Sequence, residues 1–243
     1  MARNWLSYAG YMAAAQLLAA CSGDPARNTV ADSVVQDQNA TAPNATAPVA
    51  ERKLVLAFGD SLYAGYGVAQ NESFPRRLEK ALQARGEAVE VRNAGVSGET
   101  TQGGLQRLAF TLDGLPRKPD LVLLGLGGND MLRGLDPAQS EKNLREMLDM
   151  LKARQVPVLL TGMLAAPNMG AEYAARFNAI YPALAKDYDL PLYPFFLEGV
   201  IGNPDYMQAD SIHPNPAGVD IVAGKIAPLV AGALRAESAP DGG

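Results

Sequence analysis

Short apolar runs alternate with segments of helical periodicity along the chain from residue 53 onward. The first run is Lys53 to Phe58, and the most continuous is Leu121 to Leu126, as is typical of a central parallel strand covered on both faces. Strands that alternate with helices form a parallel sheet with right-handed crossovers, so helices are expected on both faces. The pattern predicts an α/β fold, a three-layer αβα sandwich around a five-stranded parallel sheet.

The predicted elements carry local start and stop signals. Ser73 begins the first helix, which ends at Gly86, and Asp136-Pro137 supplies an N-cap and a first-turn proline for a later helix. A helix with apolar residues from Tyr173 to Tyr188 contains Pro182, where we expect a kink. The strands are expected at residues 53–58, 88–92, 121–126, 156–161 and 190–193, with a helical turn at 195–200 and a last helix from Asn215-Pro216.

Polar or glycine-rich loops follow the predicted strands where the strands end. Asp60-Ser61 follows the first strand, Ser97-Gly98 the second and Gly128-Asn129 the third. The carboxyl ends of parallel strands meet at one edge of the sheet, which is where open α/β sheets place their chemistry. A serine in such a position is more often a helix cap or a turn residue than a nucleophile, so Ser61 needs further support.

The only histidine of the chain supplies that support. His213 follows Asp210 by three residues, on a loop that leads into the last helix. The Asp210 carboxylate can orient one ring nitrogen, which leaves the other free to act as the base that activates Ser61. The backbone N–H groups of Ser61 and Gly98 and the side-chain amide of Asn129 can stabilise an oxyanion. Together these groups are what acyl transfer requires.

Four sequence blocks resemble those of the GDSL, or SGNH, hydrolase superfamily: Gly59-Asp60-Ser61-Leu62, Gly98 in its loop, Gly127-Gly128-Asn129-Asp130 and Asp210-x-x-His213. The similarity extends over residues 53–230 and is greatest to the subgroup of thioesterase I, lysophospholipase L1 and arylesterase. It implies a flavodoxin-like strand order, Ser61 as nucleophile, His213 as base, Asp210 as orienting acid, and Ser61, Gly98 and Asn129 as oxyanion donors. It also implies that the loop from Met131 to Asp136 moves with the acyl chain and that Asn168-Met169-Gly170 lines the same crevice.

The residues expected to bind substrate are Asp60, Met131, Leu132, Asn168 and Met169. Asp60 is also expected to brace its loop as a hydrogen-bond acceptor rather than to bind a metal. The sequence contains no Gly-x-Ser-x-Gly, Ser-x-x-Lys or Walker motif, and a single histidine excludes a His-Glu-x-x-His metal site. No cofactor and no metal ion are expected.

The predicted activity is that of a serine esterase that hydrolyses carboxylic esters or thioesters through an acyl-enzyme on Ser61. Aryl esters, lysophospholipids and acyl thioesters are the candidate substrates. Two alternatives stay open: a carbohydrate O-acetylesterase of the same superfamily, and a non-catalytic module that binds lipids or glycans. The net charge of −5 argues against nucleic acid as a partner. The expected partner is a small-molecule ester or a lipid, and no protein partner is implied.

The start of the chain carries the signals for export. Residues 1–20 combine an early Arg3 with an uncharged stretch that ends in small residues, which is typical of a signal peptide. Leu18-Ala19-Ala20-Cys21 resembles the bacterial lipobox, so lipid attachment is expected at Cys21, the only cysteine, with ordinary signal cleavage as the alternative. Ser22 stands where resembling inner-membrane lipoproteins have aspartate, which favours an outer-membrane anchor facing the periplasm. Any membrane attachment is expected from this N-terminus, because no later segment has the apolar length of a membrane span.

Composition sets the expected domain limits. Residues 21–50 are rich in Asp, Asn, Thr, Ala and Pro without an apolar period, which predicts a flexible tether. A chain of 243 residues with 48% hydrophobic residues can bury one good core. We therefore expect a single hydrolase domain at residues 51–235, followed by a disordered tail at residues 236–243.

Overall fold

Five parallel strands form the centre of the computed structural model, which describes residues 52–236. They lie in the order β2-β1-β3-β4-β5, so β1 pairs with β2 on one side and with β3 on the other. This confirms the predicted parallel sheet and its flavodoxin-like order. The strands are β1 Lys53–Gly59, β2 Val89–Gly95, β3 Leu121–Gly125, β4 Val158–Thr161 and β5 Leu192–Tyr193.

Helices cover both faces of the sheet and complete the predicted three-layer sandwich. One face carries α2 and α8, and the other carries α3, α5, α6 and α7. Short 3₁₀ helices occupy Gln70–Glu72 and Pro167–Met169. The helices are α1 Ser61–Ala64, α2 Phe74–Gln83, α3 Thr101–Asp113, α4 Gly128–Leu132, α5 Pro137–Ala153, α6 Ala171–Asn178, α7 Ile180–Tyr188 and α8 Pro216–Ala236.

Successive residues of β1 enter opposite halves of the core. Val55 and Ala57 pack with α2 and α8, whereas Leu56 and Phe58 pack with the helices of the other face, and all four are at most 1% exposed. Side chains alternate across a strand, so a strand that is buried on both faces must be apolar at each position. This is why the central strands read as continuous apolar runs.

The predicted single helix from Tyr173 to Tyr188 is two helices that meet at Ala179. Pro182 has no N–H to donate to the carbonyl of Asn178, four residues earlier, and α6 ends at that residue. Pro182 instead falls in the first turn of α7, where a missing N–H costs no helical hydrogen bond. The predicted kink is therefore a break.

Several other boundaries differ from the sequence-based expectation. The second strand extends to Gly95, the fourth begins at Val158 and the fifth is only Leu192–Tyr193. The predicted helical turn at 195–200 is present as hydrogen-bonded turns over residues 196–200, with the Ile201 N–H donating to the Leu197 carbonyl. Cys21, the predicted signal peptide, the predicted tether and the segment after Ala236 lie outside the described residues.

The last helix anchors the loop that carries His213. By length and composition α8 is long and apolar enough to cross a membrane, which the sequence-based expectation did not foresee, but half of that stretch is buried inside the protein. Val222 and Ile226 are at most 1% exposed and pack in the core shared with α2. This burial is typical of a core helix, and it fixes the start of α8 beside the carboxyl edge of the sheet.

Candidate active site

The loop after β1 holds Ser61 at the carboxyl edge of the sheet. β1 ends at Gly59, and Asp60 caps α1 by accepting a hydrogen bond from the Leu62 N–H at 3.0 Å. Ser61 is the first residue of α1 and is 8% exposed. The backbone of α1 also passes close to β2, because a Cβ on Gly95 would lie 2.2 Å from a main-chain nitrogen of α1. Only glycine permits that approach.

A chain of hydrogen bonds connects Ser61 to the loop before α8. The Ser61 Oγ lies 2.8 Å from the His213 Nε2, and the His213 Nδ1 lies 2.7 Å from the Asp210 Oδ2. Two nitrogens of one imidazole thus contact a hydroxyl and a carboxylate. The structure brings together the three residues that the sequence analysis predicted to form the catalytic triad, in the geometry that base activation of a serine requires.

The Asp210 carboxylate is held for this contact by its own loop. Its Oδ1 accepts hydrogen bonds from the backbone N–H groups of Ile212 and His213, both at 3.0 Å. Partial burial acts to raise the pKa of Asp210, but the hydrogen bonds from His213 and Ile212 outweigh it and lower the pKa to about 2. The carboxylate is therefore ionised at neutral pH, as required to stabilise an imidazolium.

Tyr66 and Gln208 complete the surroundings of His213, and the sequence analysis did not identify either. The Tyr66 ring lies against the imidazole with 4.5 Å between ring centroids. Gln208 donates to the Tyr66 carbonyl at 2.8 Å, and its backbone N–H donates to the His213 carbonyl at 2.8 Å. Ser211 takes a positive φ of 58°, which lets the loop turn tightly between Asp210 and His213. The contacts of Tyr66 with His213 and Gln208 join residues far apart in sequence, so no local pattern signals them.

The predicted oxyanion donors converge next to Ser61. Within the described residues, the backbone N–H groups of Ser61 and Gly98 donate to no protein acceptor. Gly98 has a φ of +79°, a left-handed conformation that glycine adopts without steric cost. The Asn129 amide donates to the Glu99 carbonyl at 3.0 Å and to the Asp60 Oδ2 at 3.3 Å. Two free backbone donors and one held amide are thus available to a developing negative charge.

A partly buried ion pair connects this donor loop to the sheet. Arg107 on α3 contacts both carboxylate oxygens of Glu99, at 2.6 Å through Nε and 2.5 Å through Nη2. The same Nη2 donates to the carbonyls of Ala94 at 2.8 Å and Gly59 at 3.2 Å, near the ends of β2 and β1. One guanidinium therefore fixes the spacing between the strand that leads to Ser61 and the loop that carries Gly98.

A second buried network holds Asn129 through its neighbour. Asp130 is 2% exposed and accepts hydrogen bonds from the Thr101 N–H at 2.8 Å, the Thr101 hydroxyl at 2.5 Å and the Ser140 hydroxyl at 3.0 Å. Asn143 donates in turn to the Thr101 hydroxyl at 2.9 Å. The carboxylate thus joins α4 to α3 and α5, which sets the position of the adjacent Asn129.

Asp60 is a buried carboxylate without a cationic side chain bound to it. Burial raises its pKa to about 6, against the smaller opposing effects of the Leu62 N–H hydrogen bond and the nearby His213. Its oxygens accept from Leu62 and from Asn129, so it links the serine loop to the amide of the oxyanion site. The residue predicted as a loop brace occupies that position in the structure.

A cavity of about 680 Å³ opens beside Ser61 and is lined mainly by apolar side chains. Asp60, Met131 and Leu132, all predicted at the substrate site, lie on its wall. Asn168 and Met169 do not: Asn168 is exposed, and Met169 packs against the core. The preceding residues from Met163 to Pro167 line the cavity instead, because the 3₁₀ helix at Pro167–Met169 turns the chain away from it.

Within residues 52–236, no group of three or more His, Cys, Asp or Glu side chains is placed to hold a metal ion.

Residues 57–221 match the model of the GDSL-like lipase/acylhydrolase family. The chain belongs to this family. It is 43% identical to thioesterase 1/protease 1/lysophospholipase L1 of Escherichia coli K12 over 180 residues, which cover 72% of this chain and 84% of that protein. It is 42% identical to an arylesterase of Vibrio mimicus over 173 residues, or 71% of this chain and 84% of that one.

A solved structure agrees with this assignment. The crystal structure of AlinE4, a SGNH-hydrolase family esterase, is 50% identical and covers 76% of this chain and 97% of its own, with a TM-score of 0.65. The family, the fold and the hydrogen-bonded serine, histidine and aspartate all indicate the same activity. The protein is a serine esterase, as the sequence analysis predicted.

Asp60→Asn should favour the folded state more at alkaline pH than at acidic pH. The folded-state pKa of about 6 lies above the ordinary value of 3.8, so Asp60 contributes its full stability below pH 3.8 and loses it as pH rises through about 6. The effect of the variant on the free energy of unfolding should be about 1–3 kcal/mol more favourable at pH 8 than at pH 4. The difference between the two pH values is the quantity to compare, because asparagine has one acceptor oxygen and loses the hydrogen bond from Asn129 at both. Urea unfolding at pH 4, 6 and 8 measures this.

The exposed Asp205, changed to Asn, is the matched control and should alter stability little at any of the three pH values. If the effect of Asp60→Asn on the free energy of unfolding is the same at pH 4 and pH 8, burial does not raise the pKa of Asp60.

Proposed function

We propose that the protein hydrolyses hydrophobic esters, with aryl esters and lysophospholipids as the main substrate classes, through an acyl-enzyme on Ser61. The observation that carries this proposal is the hydrogen-bonded series Ser61, His213 and Asp210 at the wall of a large apolar cavity. The names of the relatives, a thioesterase and lysophospholipase and an arylesterase, support the same classes.

Acylation begins when the His213 Nε2 takes the proton of the Ser61 hydroxyl as Oγ attacks the ester carbonyl. The carbonyl oxygen gains negative charge and accepts hydrogen bonds from the N–H groups of Ser61 and Gly98. The Asn129 amide adds a third donor by exchanging its longer bond, 3.3 Å to Asp60, for one to the oxyanion. Its bond to the Glu99 carbonyl keeps the amide in place meanwhile.

The tetrahedral intermediate collapses when His213 returns the proton to the leaving oxygen or sulfur, which releases the alcohol or thiol and leaves an acyl ester on Ser61. A water molecule then loses its proton to the His213 Nε2 and attacks the acyl carbon through the same oxyanion site. Ser61 leaves with that proton, and the acid is released. In both steps the ionised Asp210 stabilises the imidazolium at a distance of 2.7 Å.

The cavity wall argues for apolar substrates over carbohydrates. Its large side chains include Leu132, Leu164, Leu197 and Ile201, and the ionisable groups on the wall are Asp60, His213 and the phenol of Tyr66. An O-acetylesterase that acts on carbohydrates needs polar groups to bind the sugar hydroxyls, because unpaired hydroxyls are costly to bury. This chain has the complete series of Ser61, His213 and Asp210, and its relatives are named as enzymes. Both observations disfavour a module that only binds.

We further propose that the protein is exported and anchored to the outer membrane through a lipid on Cys21. The lipobox-like Leu18-Ala19-Ala20-Cys21 and the Ser22 that follows support this address. A periplasmic location puts the enzyme among envelope lipids and away from acyl-CoA, which favours lysophospholipids as physiological substrates over acyl thioesters.

Ser61→Ala and His213→Ala should each lower kcat by about 10⁴-fold or more, because each removes a group that acts in the transition state. The measurement is hydrolysis of nitrophenyl esters from acetyl to palmitoyl, together with a lysophospholipid and an acetylated sugar.

For the wild-type protein, kcat/KM should rise with acyl length until the cavity is filled, as each buried methylene adds about 0.8 kcal/mol.

Ser73→Ala is the matched control, because Ser73 is another buried serine whose hydroxyl binds only the Gln70 carbonyl. It should retain activity within a few-fold. Full activity in either site variant would refute the mechanism, and a preference for the acetylated sugar would refute the substrate class.

Cys21→Ser should move the protein from the membrane fraction to the soluble periplasmic fraction, since one acyl-bearing cysteine is the proposed anchor. Fractionation of cells that express the two forms checks this. Wild-type protein found soluble, or a variant that resists a carbonate wash of the membranes as firmly as the wild type does, would contradict the anchor, because such a wash removes protein that is bound only at the surface.

A further inference from the structure

Exposed large hydrophobic side chains gather at the mouth of the cavity. Eight such residues occur in the described part of the chain, and five of them also line the cavity. Single exposed apolar residues are normal on a protein surface, but a cluster around one opening marks an interaction site. We name as the apolar rim Tyr66 at 53% exposure, Leu132 at 51%, Leu164 at 41%, Ile201 at 44% and Ile212 at 40%.

The rim surrounds the opening instead of lying on one element. Tyr66 follows α1, Leu132 ends α4 and Leu164 follows β4, while Ile201 and Ile212 come from the long segment between β5 and α8. Four separate segments therefore present apolar side chains around one cavity. Val96 and Leu135, 44% and 40% exposed, are close in sequence to cavity-lining residues but do not line the cavity themselves.

Phe110 is an exposed large hydrophobic residue that does not line the cavity, so it serves as the control position. It is 82% exposed and lies on α3, nine residues after the helix begins at the active-site edge. At 1.5 Å per residue this places it about 14 Å from that edge along the helix. Phe110 is thus as apolar as the rim residues but sits on a different part of the surface.

The charges favour an uncharged partner surface. Of the described residues, no lysine or arginine lines the cavity, and besides the phenol of Tyr66 its ionisable groups are the buried Asp60 and the histidine of the site. The chain as a whole carries a net charge of −5. Proteins that bind anionic membranes do so through clustered lysine and arginine. Next to the rim the structure places Arg133, which follows Leu132 and donates to the Gly98 carbonyl, and one such cation is not a cluster. The chemistry of the rim fits a zwitterionic lipid surface.

A lipid surface also fits the position of the rim better than a protein does. A partner protein, or a second copy of this chain, seated on the rim would cover the opening through which substrate must enter. A lipid surface at the same place supplies substrate to it. Residues 21–50 can span at most about 100 Å, which is ample for a domain anchored at Cys21 to turn its rim to the bilayer.

We propose that the apolar rim docks on a zwitterionic lipid surface and places the cavity mouth at the level of the lipid ester bonds. The side chains of the rim enter the boundary between headgroups and acyl chains, while the sheet and helices stay in water. The proposal rests on the proposed lipid-ester activity, and it adds the surface on which that activity takes place.

The test uses the single cysteine of the chain. Cys21→Ser gives a full-length protein without cysteine, into which Leu132→Cys, Ile201→Cys or Phe110→Cys is introduced and labelled with an environment-sensitive fluorophore. With phosphatidylcholine vesicles, we expect a blue shift at positions 132 and 201, and quenching by lipids that carry a nitroxide near the headgroup. The label at position 110 should show neither. Because the three proteins share one N-terminus, binding through that segment affects them equally.

A second measurement keeps the result independent of the label. In the same background, Leu132→Ser with Ile201→Ser should lower partitioning onto phosphatidylcholine vesicles by about tenfold or more, since apolar area is lost. Phe110→Ser should leave partitioning unchanged, and a rise in salt from 50 to 500 mM should weaken none of the proteins by more than about twofold.

Equal signals at positions 110, 132 and 201, or binding that salt abolishes, would overturn the docking surface. So would a blue shift at the rim without vesicles that grows with protein concentration, because the rim would then bind a second copy. Hydrolysis of nitrophenyl acetate, a water-soluble ester, is measured in the same samples. If the samples hydrolyse nitrophenyl acetate but the rim does not insert, only the docking proposal is refuted. If the unlabelled Cys21→Ser parent does not hydrolyse nitrophenyl acetate, the proposed function is refuted.

Discussion

The hydrogen bond between the Ser61 Oγ and the His213 Nε2 spans 152 residues of sequence, and the chemistry of the protein depends on it. On one side, β1 and the Asp60 cap present the hydroxyl at the sheet edge. On the other, α8 packs in the core with α2 and fixes the loop in which Asp210 orients the imidazole. Without both anchors, Ser61 would be only the first residue of a four-residue helix. The burial of α8 is thus a catalytic requirement as well as a source of stability.

Buried polar groups around this bond fix distances at a cost in stability. The Arg107 to Glu99 pair and the Asp130 network are fully partnered, so each joins loops from different strands without leaving a charge unsatisfied. Asp60 differs, because burial raises its pKa to about 6 and its hydrogen bonds come from neutral amides. A group that weakens the fold at neutral pH and touches both the serine loop and Asn129 is an example of stability given up at a functional site.

Much of this was predictable from the sequence because the signals are local. Central strands buried on both faces must be apolar throughout, and the Asp210-x-x-His213 spacing identifies a base with its orienting acid. Long-range contacts were not predictable: Tyr66 on His213, and Arg107 reaching the ends of two strands, join residues with no shared pattern. The break at Ala179 and the displacement of Asn168 and Met169 from the cavity wall likewise depend on how short turns redirect the chain.

The central claim is that Ser61 is the nucleophile and that His213 activates it. Reaction with a fluorophosphonate followed by mass spectrometry of the peptides tests this most directly, because the reagent forms a stable covalent bond with a base-activated serine. We predict one adduct per wild-type chain, on Ser61, and labelling that is slowed by orders of magnitude when His213 is replaced by alanine. An adduct on Ser97 or Ser211 instead, or rapid hydrolysis by a chain that resists labelling, would contradict the account.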